Sequence, residues 1–152
     1  MHHDTPSVAL TEGFVLHPRL AADSVWVLDL ALCQLRIQND ARYPWLVLVP
    51  RRAEVRELYQ LSAADQWQVW QEILQLQQVL QELSQAYKLN LGALGNVVEQ
   101  LHIHIIARFP DDASWPGPVW GQGVAQPYTP QALEQRCAQL RAALAAKVPV
   151  GC

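Results

Sequence analysis

The chain has 152 residues, of which 51% are apolar and 16% charged, and its formal net charge is −3. That length suits one domain with a sizeable core. The balance excludes intrinsic disorder, and the lack of a basic stripe argues against a binder of duplex DNA or RNA. The three cysteines, Cys33, Cys137 and Cys152, are far apart and form no Cys-x-x-Cys, so neither a disulfide framework nor a cysteine zinc site is indicated. Met1 to Thr11 lacks the apolar stretch of a signal peptide, and no apolar run approaches about 18 residues, so a cytoplasmic chain without a membrane span is expected.

Residues 1–10, with His2 and His3, read as a loose arm. Ser24 to Leu30 and Cys33 to Ile37 read as two short strands with Ala31 and Leu32 between them, a hairpin spacing. Cys33, Leu35 and Ile37 alternate with Gln34, Arg36 and Gln38, the pattern of a half-buried strand. Asn39 to Pro44 is a loop. Trp45-Leu-Val-Leu-Val49 is almost wholly apolar and therefore central, and Pro50 ends it. A long helix follows. Ser62 and Asp65 make a start like a capping box, and Trp67, Trp70, Ile73, Leu74, Leu76, Val79, Leu80, Leu83 and Tyr87 are expected to form its buried stripe, with glutamines outside. Lys88 to Leu91 is a further strand, Gly92 to Gly95 a turn, and Leu101 to Arg108 another strand. Phe109 to Thr129 is irregular and rich in Pro and Gly. Gln131 to Lys147 is a last helix, with Leu133, Cys137, Leu140 and Leu144 as its apolar stripe. This order predicts an α+β fold with an antiparallel sheet.

The informative segment is Gln100-Leu-His-Ile-His-Ile-Ile106. Side chains on a strand alternate faces, so Gln100, His102 and His104 share one surface, spaced by roughly 6–7 Å, while Leu101, Ile103 and Ile105 enter the core. Three readings of the histidine pair stay open. It could supply two ligands of a metal site completed by Glu99, Asp111 or Asp112, although a zinc site needs three or four donors. One imidazole could be a nucleophile and the other a charge stabiliser, since a neutral imidazole with a pKa of about 6.5 is competent at pH 7. Or the pair could be structural.

The motif resembles that of the histidine triad (HIT) family, His-φ-His-φ-His-φ-φ, with Gln100 at its first position. Trp45-Leu-Val-Leu-Val-Pro50 resembles the family's strand pattern His-x-Leu-Val-x-Pro, and the long helix, the Gly and Asn turn and Trp115-Pro-Gly117 follow in the family's order. The likeness spans roughly Phe14 to Gly121. It implies a five-stranded antiparallel sheet carrying one long helix, in homodimers that join their sheets. It implies a HIT-like domain over residues 11–125, with residues 126–152 a helical extension packed on it.

For chemistry, the resemblance implies binding of a purine nucleotide and cleavage at the α-phosphorus of a nucleoside phosphoramidate or dinucleoside polyphosphate. The nucleoside monophosphate passes to a histidine and then to water. His102 matches that nucleophile, His104 and Asn96 match groups that meet phosphate, and Asn90 lies near the phosphates. Gly95 belongs to the turn where the backbone approaches phosphate. Asn39, or Asp40, would meet the ribose. Arg108 shares the parity of the histidines and could reach an anionic substrate, or be a solvated strand end. No resident cofactor or metal is implied. A divalent cation would arrive with a polyphosphate substrate.

Two departures alter this network. Gln100, expected to orient the nucleophile, can donate and accept but cannot titrate, and Trp45 stands where many members carry a further histidine. They motivate the alternative of a nucleotide-binding or regulatory module with little turnover. Trp115-Pro-Gly-Pro-Val-Trp120 reads as a loop pinned to the body by its tryptophans, or as a wall of the nucleotide site.

Overall fold

A computed structural model describes residues 13–147. The expected arm at residues 1–10, with His2 and His3, lies outside the described residues, as does Cys152.

The sheet is built around β3 (Trp45–Pro50), in which all six residues are buried. On one side it pairs antiparallel with β2 (Cys33–Gln38), which pairs with β1 (Ser24–Asp29). On the other it pairs antiparallel with β5 (Ile103–Arg108), which pairs with β4 (Lys88–Gly92), giving five strands in the order β1-β2-β3-β5-β4. The central place of β3 explains its composition, because apolar side chains are needed on both faces of a covered strand. A short helix, α1 (Pro18–Asp23), precedes β1. His17 caps it by accepting from the Arg19 N–H through Nδ1 at 3.0 Å, and Pro18 opens it.

One face of the sheet carries the main core. Val27, Leu35, Ile37, Leu46, Leu48, Ile103 and Ile105 meet α2 (Ala63–Ser84) and α3 (Pro130–Ala146), with Cys137, Leu140 and Leu144 of α3 in the same cluster. Ser62 caps α2 by accepting from the Asp65 N–H at 3.1 Å. The Asp65 carboxylate does not close a capping box. It pairs with Arg52 at 2.7 Å and ties the exit of β3 to the start of α2.

The stripe expected for α2 is partly wrong. Val69, Glu72, Ile73, Leu76, Val79 and Leu80 face the sheet, whereas Trp67, Trp70 and Leu74 are exposed and Tyr87 lies beyond the helix, also exposed. At 3.6 residues per turn, positions 67, 70 and 74 centre roughly 120° around the helix from 69, 73, 76 and 80, so the apolar residues mark two neighbouring stripes. Glu72 is buried because the β1–β2 turn needs an acceptor there. Its carboxylate accepts from the Leu32 N–H at 3.1 Å and the Cys33 N–H at 2.7 Å. Burial first, and then the Glu72 carboxylate, push the Cys33 thiol up, which makes it an inert core residue.

The opposite face carries a smaller cluster of Leu20, Tyr43, Trp45, Val47, Val49, Val98, Ile106 and Val119. The alternation expected for β5 holds. His104 and Ile106 lie on this face beside Val47 and Trp45, while Ile103 and Ile105 enter the main core. Among the described residues no helix is long and apolar enough to cross a membrane.

Candidate active site

A cavity of about 560 Å³ opens on the face away from the long helix. Its lining includes Gly95, Asn96, His102 and His104, with Trp45 and Trp120 against His104 and with Asp40, Arg42 and Val119. Leu101 and Ile103 anchor the histidine segment in the main core, so His102 and His104 project the other way. The two imidazoles meet edge to face with centroids 4.9 Å apart.

His102 lies just before β5, and its ring Nδ1 is 2.7 Å from the main-chain carbonyl oxygen of Gln100. A carbonyl only accepts, so Nδ1 carries the proton and Nε2 keeps its lone pair. His104 receives a hydrogen bond at its own Nδ1 from the Trp45 indole N–H, at 2.9 Å. Burial first, and then the neighbouring His102, pull its pKa down from 6.5 to about 3, so His104 is neutral at physiological pH. Among the described residues, Trp120 Nε1 is the only buried side-chain polar atom without a partner. The Nε2 atoms of both histidines, which have no hydrogen-bond partner among the described residues, are therefore open to the cavity they line.

Gly95 turns the chain at φ +71°, a conformation that glycine adopts without strain, and presents the following Asn96 to the cavity. The wall at Asp40 and Arg42 is held by long-range bonds. The Asp40 carboxylate accepts from the Arg42 main-chain N–H at 3.1 Å, from its guanidinium at 2.8 Å and from the Gln126 N–H at 3.3 Å. Arg42 also donates to the Gln122 carbonyl at 2.8 Å. Burial opposes ionisation of Asp40, but these donors outweigh it and hold its pKa below the usual range. The segment through Gly121 to Gln126 is thereby fastened to the β2–β3 turn as one side of the cavity.

Four expected site residues lie elsewhere. The Gln100 side chain points to the N-terminal segment, where Oε1 accepts from the His17 N–H and Nε2 donates to the Val15 carbonyl, each at 2.8 Å. Its main-chain carbonyl, not its carboxamide, holds His102. Arg108 is not a solvated strand end. It is 1% exposed, and its guanidinium donates to Asp112, the Asn90 carboxamide and the Gly117 carbonyl, with 2.8 Å the shortest distance to each. The Asp112 carboxylate, buried but answered by Arg108 and two main-chain N–H groups, has its pKa lowered from 3.8 to about 2. Arg108 and Asn90 thus close a structural knot under the loop that follows β5. Asn39 is absent from the cavity wall because its Oδ1 accepts from the Tyr128 N–H at 2.9 Å, and the neighbouring Asp40 takes that place.

Of this wall, the sequence names Asp40 as the alternative to Asn39 and Trp120 within the loop after β5; it misses Arg42, whose partner Gln122 is far away in the chain. The loop after β5 is pinned to the body at Trp115 and lines the cavity at Trp120. Trp115 stacks against Tyr87 and Arg108 in the structural part, and Trp120 packs its ring against His104 and Trp45 in the cavity. Gly92 makes room for Trp120, since a Cβ there would lie 2.9 Å from the indole. The metal reading finds no donor set among the described residues, where no three His, Cys, Asp or Glu groups converge. Asp112 is engaged by Arg108, and Glu99 pairs with Arg56 at 3.1 Å.

The family model of the HIT domain matches residues 19–111. Among solved structures, the chain resembles a histidine triad protein from Sinorhizobium meliloti 1021 at 42% identity and TM-score 0.85, covering 87% of this chain and 98% of that one. A histidine triad protein from Marinobacter aquaeolei VT8 matches at 40% identity and TM-score 0.86, over 89% and 98%. One from Bradyrhizobium japonicum matches at 41% and 0.84, over 86% and 97%. No curated protein matches the chain.

Proposed function

The chain belongs to the HIT domain family, and on that premise we propose that it binds a purine nucleotide in the His102 cavity and cleaves at the α-phosphorus through a nucleotidyl-histidine intermediate. The observation that carries this reading is the bond from His102 Nδ1 to the Gln100 carbonyl, which leaves the Nε2 lone pair facing the cavity. Nε2 attacks the phosphorus and forms an N–P bond. The bond to the leaving amine or phosphate breaks, and that group departs with the electron pair, taking a proton from water. A second water then attacks phosphorus, the N–P bond returns its electrons to Nε2, and nucleoside monophosphate and a proton are released. Charge building on the non-bridging oxygens is met by His104 and Asn96, already in place and needing little reorganisation.

Substrates of this class are a nucleoside phosphoramidate or a dinucleoside polyphosphate, the latter bringing its own divalent cation. Gln100 stands at the first position of the triad, with its carboxamide engaged on Val15 and His17. That engagement favours, as a second reading, a nucleotide-binding module with little turnover. β4 is an edge strand with Leu91 and the preceding Tyr87 exposed, which supports a homodimer joined along that edge.

The test is incubation with an adenosine phosphoramidate and a diadenosine polyphosphate, followed by product release and intact mass. Turnover, with an adenylyl adduct lost in His102→Ala, supports the reading. Nucleotide binding without a burst of leaving group, and unchanged by His102→Ala, selects the binding module. Neither binding nor an adduct refutes both.

A further inference from the structure

We propose that Trp45 is a positioning residue for His104: its indole N–H fixes the His104 proton on Nε2, so that this ring presents a donor to the cavity while His102 beside it presents a lone pair. The inference rests on the proposed reaction for its consequence, but its structural content stands apart from turnover.

The two rings have the same chemistry and adjoining positions, yet they meet opposite partners. The Gln100 carbonyl can only accept, so His102 holds its proton on Nδ1. The indole of Trp45 can only donate, so His104 must keep Nδ1 bare and carry its proton on Nε2. Neither partner titrates in the working range, so the assignment of roles does not depend on pH. A nucleophile needs the first arrangement and a stabiliser of phosphoryl oxygens needs the second.

The geometry around Trp45 is over-determined for this task. Trp45 pairs with Ile106 across the sheet, and Val47 pairs with His104, so the indole reaches the imidazole diagonally along one face. The rings of Trp45 and His104 lie edge to face at 5.6 Å, and Trp120 packs beside both, 5.4 Å from the imidazole and 6.3 Å from the indole. Tyr43 holds the Trp45 ring from below at 6.2 Å. The titratable group against His104 is His102 on its own segment. Trp45 from β3, Gly92 from β4 and Trp120 from the following loop bring none. The ion pairs Asp40–Arg42 and Arg19–Asp23 line the same cavity, each internally neutralised.

The test is long-range ¹H–¹⁵N correlation NMR of the full chain labelled at histidine, without ligand, at pH 7 and pH 5. The expected result is one tautomer for each ring: the proton on Nδ1 for His102 and on Nε2 for His104, with His104 still neutral at pH 5. In Trp45→Phe, which keeps an aromatic ring but removes the donor, His104 should exchange between tautomers and take up a proton at higher pH. Hydrolysis of adenosine phosphoramidate should lose about tenfold in kcat with KM nearly constant, the effect of one transition-state hydrogen bond. Its acid limb should move upward. A single Nε2–H tautomer persisting in Trp45→Phe overturns the inference. Should that variant fail to fold, the wild-type chain decides: a His104 that exchanges tautomers, or that protonates near pH 6.5, overturns it. If the wild-type chain hydrolyses nothing yet shows both tautomers as assigned, the catalytic reading fails while the positioning role stands.

Discussion

Acidification from pH 7 to pH 5 should destabilise the folded chain through His104. This ring is buried, accepts at Nδ1 from a group that cannot accept in return, and lies against a second imidazole. Its pKa falls from 6.5 to about 3 on folding, with burial the larger cause and His102 the lesser. In the unfolded chain the same imidazole titrates near its ordinary value, about 6.5. Between these two values the unfolded state binds more protons than the folded one. Stability is therefore complete above about pH 6.5 and declines as the pH falls toward 3. At pH 5 the difference is about 1.5 units at about 1.4 kcal/mol each, a loss of about 2 kcal/mol. Carboxylates act in a lower window. Asp112, lowered from 3.8 to about 2, contributes fully above its unfolded value and loses that contribution as the pH drops through 2. The slope between pH 6.5 and about 4.5 thus lies above the window of Asp112. Urea unfolding at pH 7, 6 and 5 measures it, with His104→Gln as the control that cannot titrate. The wild-type chain should lose about 2 kcal/mol and the variant about 0.5 kcal/mol or less. Equal slopes in both chains would refute the assignment.

Arg108→Met should cost about 3–5 kcal/mol, because it leaves the Asp112 carboxylate buried without its counter-charge. Adding Asp112→Leu should recover much of that loss, as chemical denaturation will register. Gly92→Ala should push the Trp120 indole off His104, since the new Cβ would lie 2.9 Å from the ring. A crystal structure of the variant reads the displacement, and calorimetry should find a destabilisation of about 1–3 kcal/mol. Gln100→Ala should leave the His102 tautomer intact, because the main-chain carbonyl sets it. Hydrogen exchange at the His17 amide should accelerate as its acceptor disappears. A His102 ring that switches tautomer in this variant would restore the orienting role to the side chain.

The parts of the fold that depend on period were legible in the sequence. The five apolar residues from Trp45 to Val49 call for cover on both faces, and β3 is the centre of the sheet. The alternation of His102 and His104 with Leu101, Ile103 and Ile105 assigns the histidines to one face and the aliphatic residues to the core. Parity assigns a side, however, and says nothing of what covers it. Arg108 has the parity of the histidines but lies beneath the loop carrying Asp112 and Gly117, so a group expected to reach substrate became a keystone. Asn90 and Asn39 failed for a related reason. A short carboxamide can answer main chain or guanidinium as readily as a ligand, and the structure gives Asn90 to Arg108 and Asn39 to Tyr128. On α2, a sequence with tryptophans along one line and aliphatic residues along its neighbour carries two apolar stripes. Only contact with the sheet chooses between them.

The two faces of the sheet solve different problems. The face under α2 and α3 is filled by aliphatic side chains, which need only volume. The other face holds Arg108, Asp40 and two histidines, each of which must be answered by a partner when buried. Toward one end the answers are complete: Asp112, Asn90 and Gly117 satisfy Arg108, and that end is closed. Toward the other they stop half-way. Each imidazole is answered at Nδ1 and left open at Nε2. A polar pair placed for stability alone would have both nitrogens satisfied, as the guanidinium four residues after His104 has its donors. Half-answered groups at the rim of a cavity, held by partners of opposite hydrogen-bonding sense, are instead groups prepared for a third party. The sequence supplies that difference through two residues that never touch substrate in this scheme: the peptide carbonyl at 100 and the indole at 45.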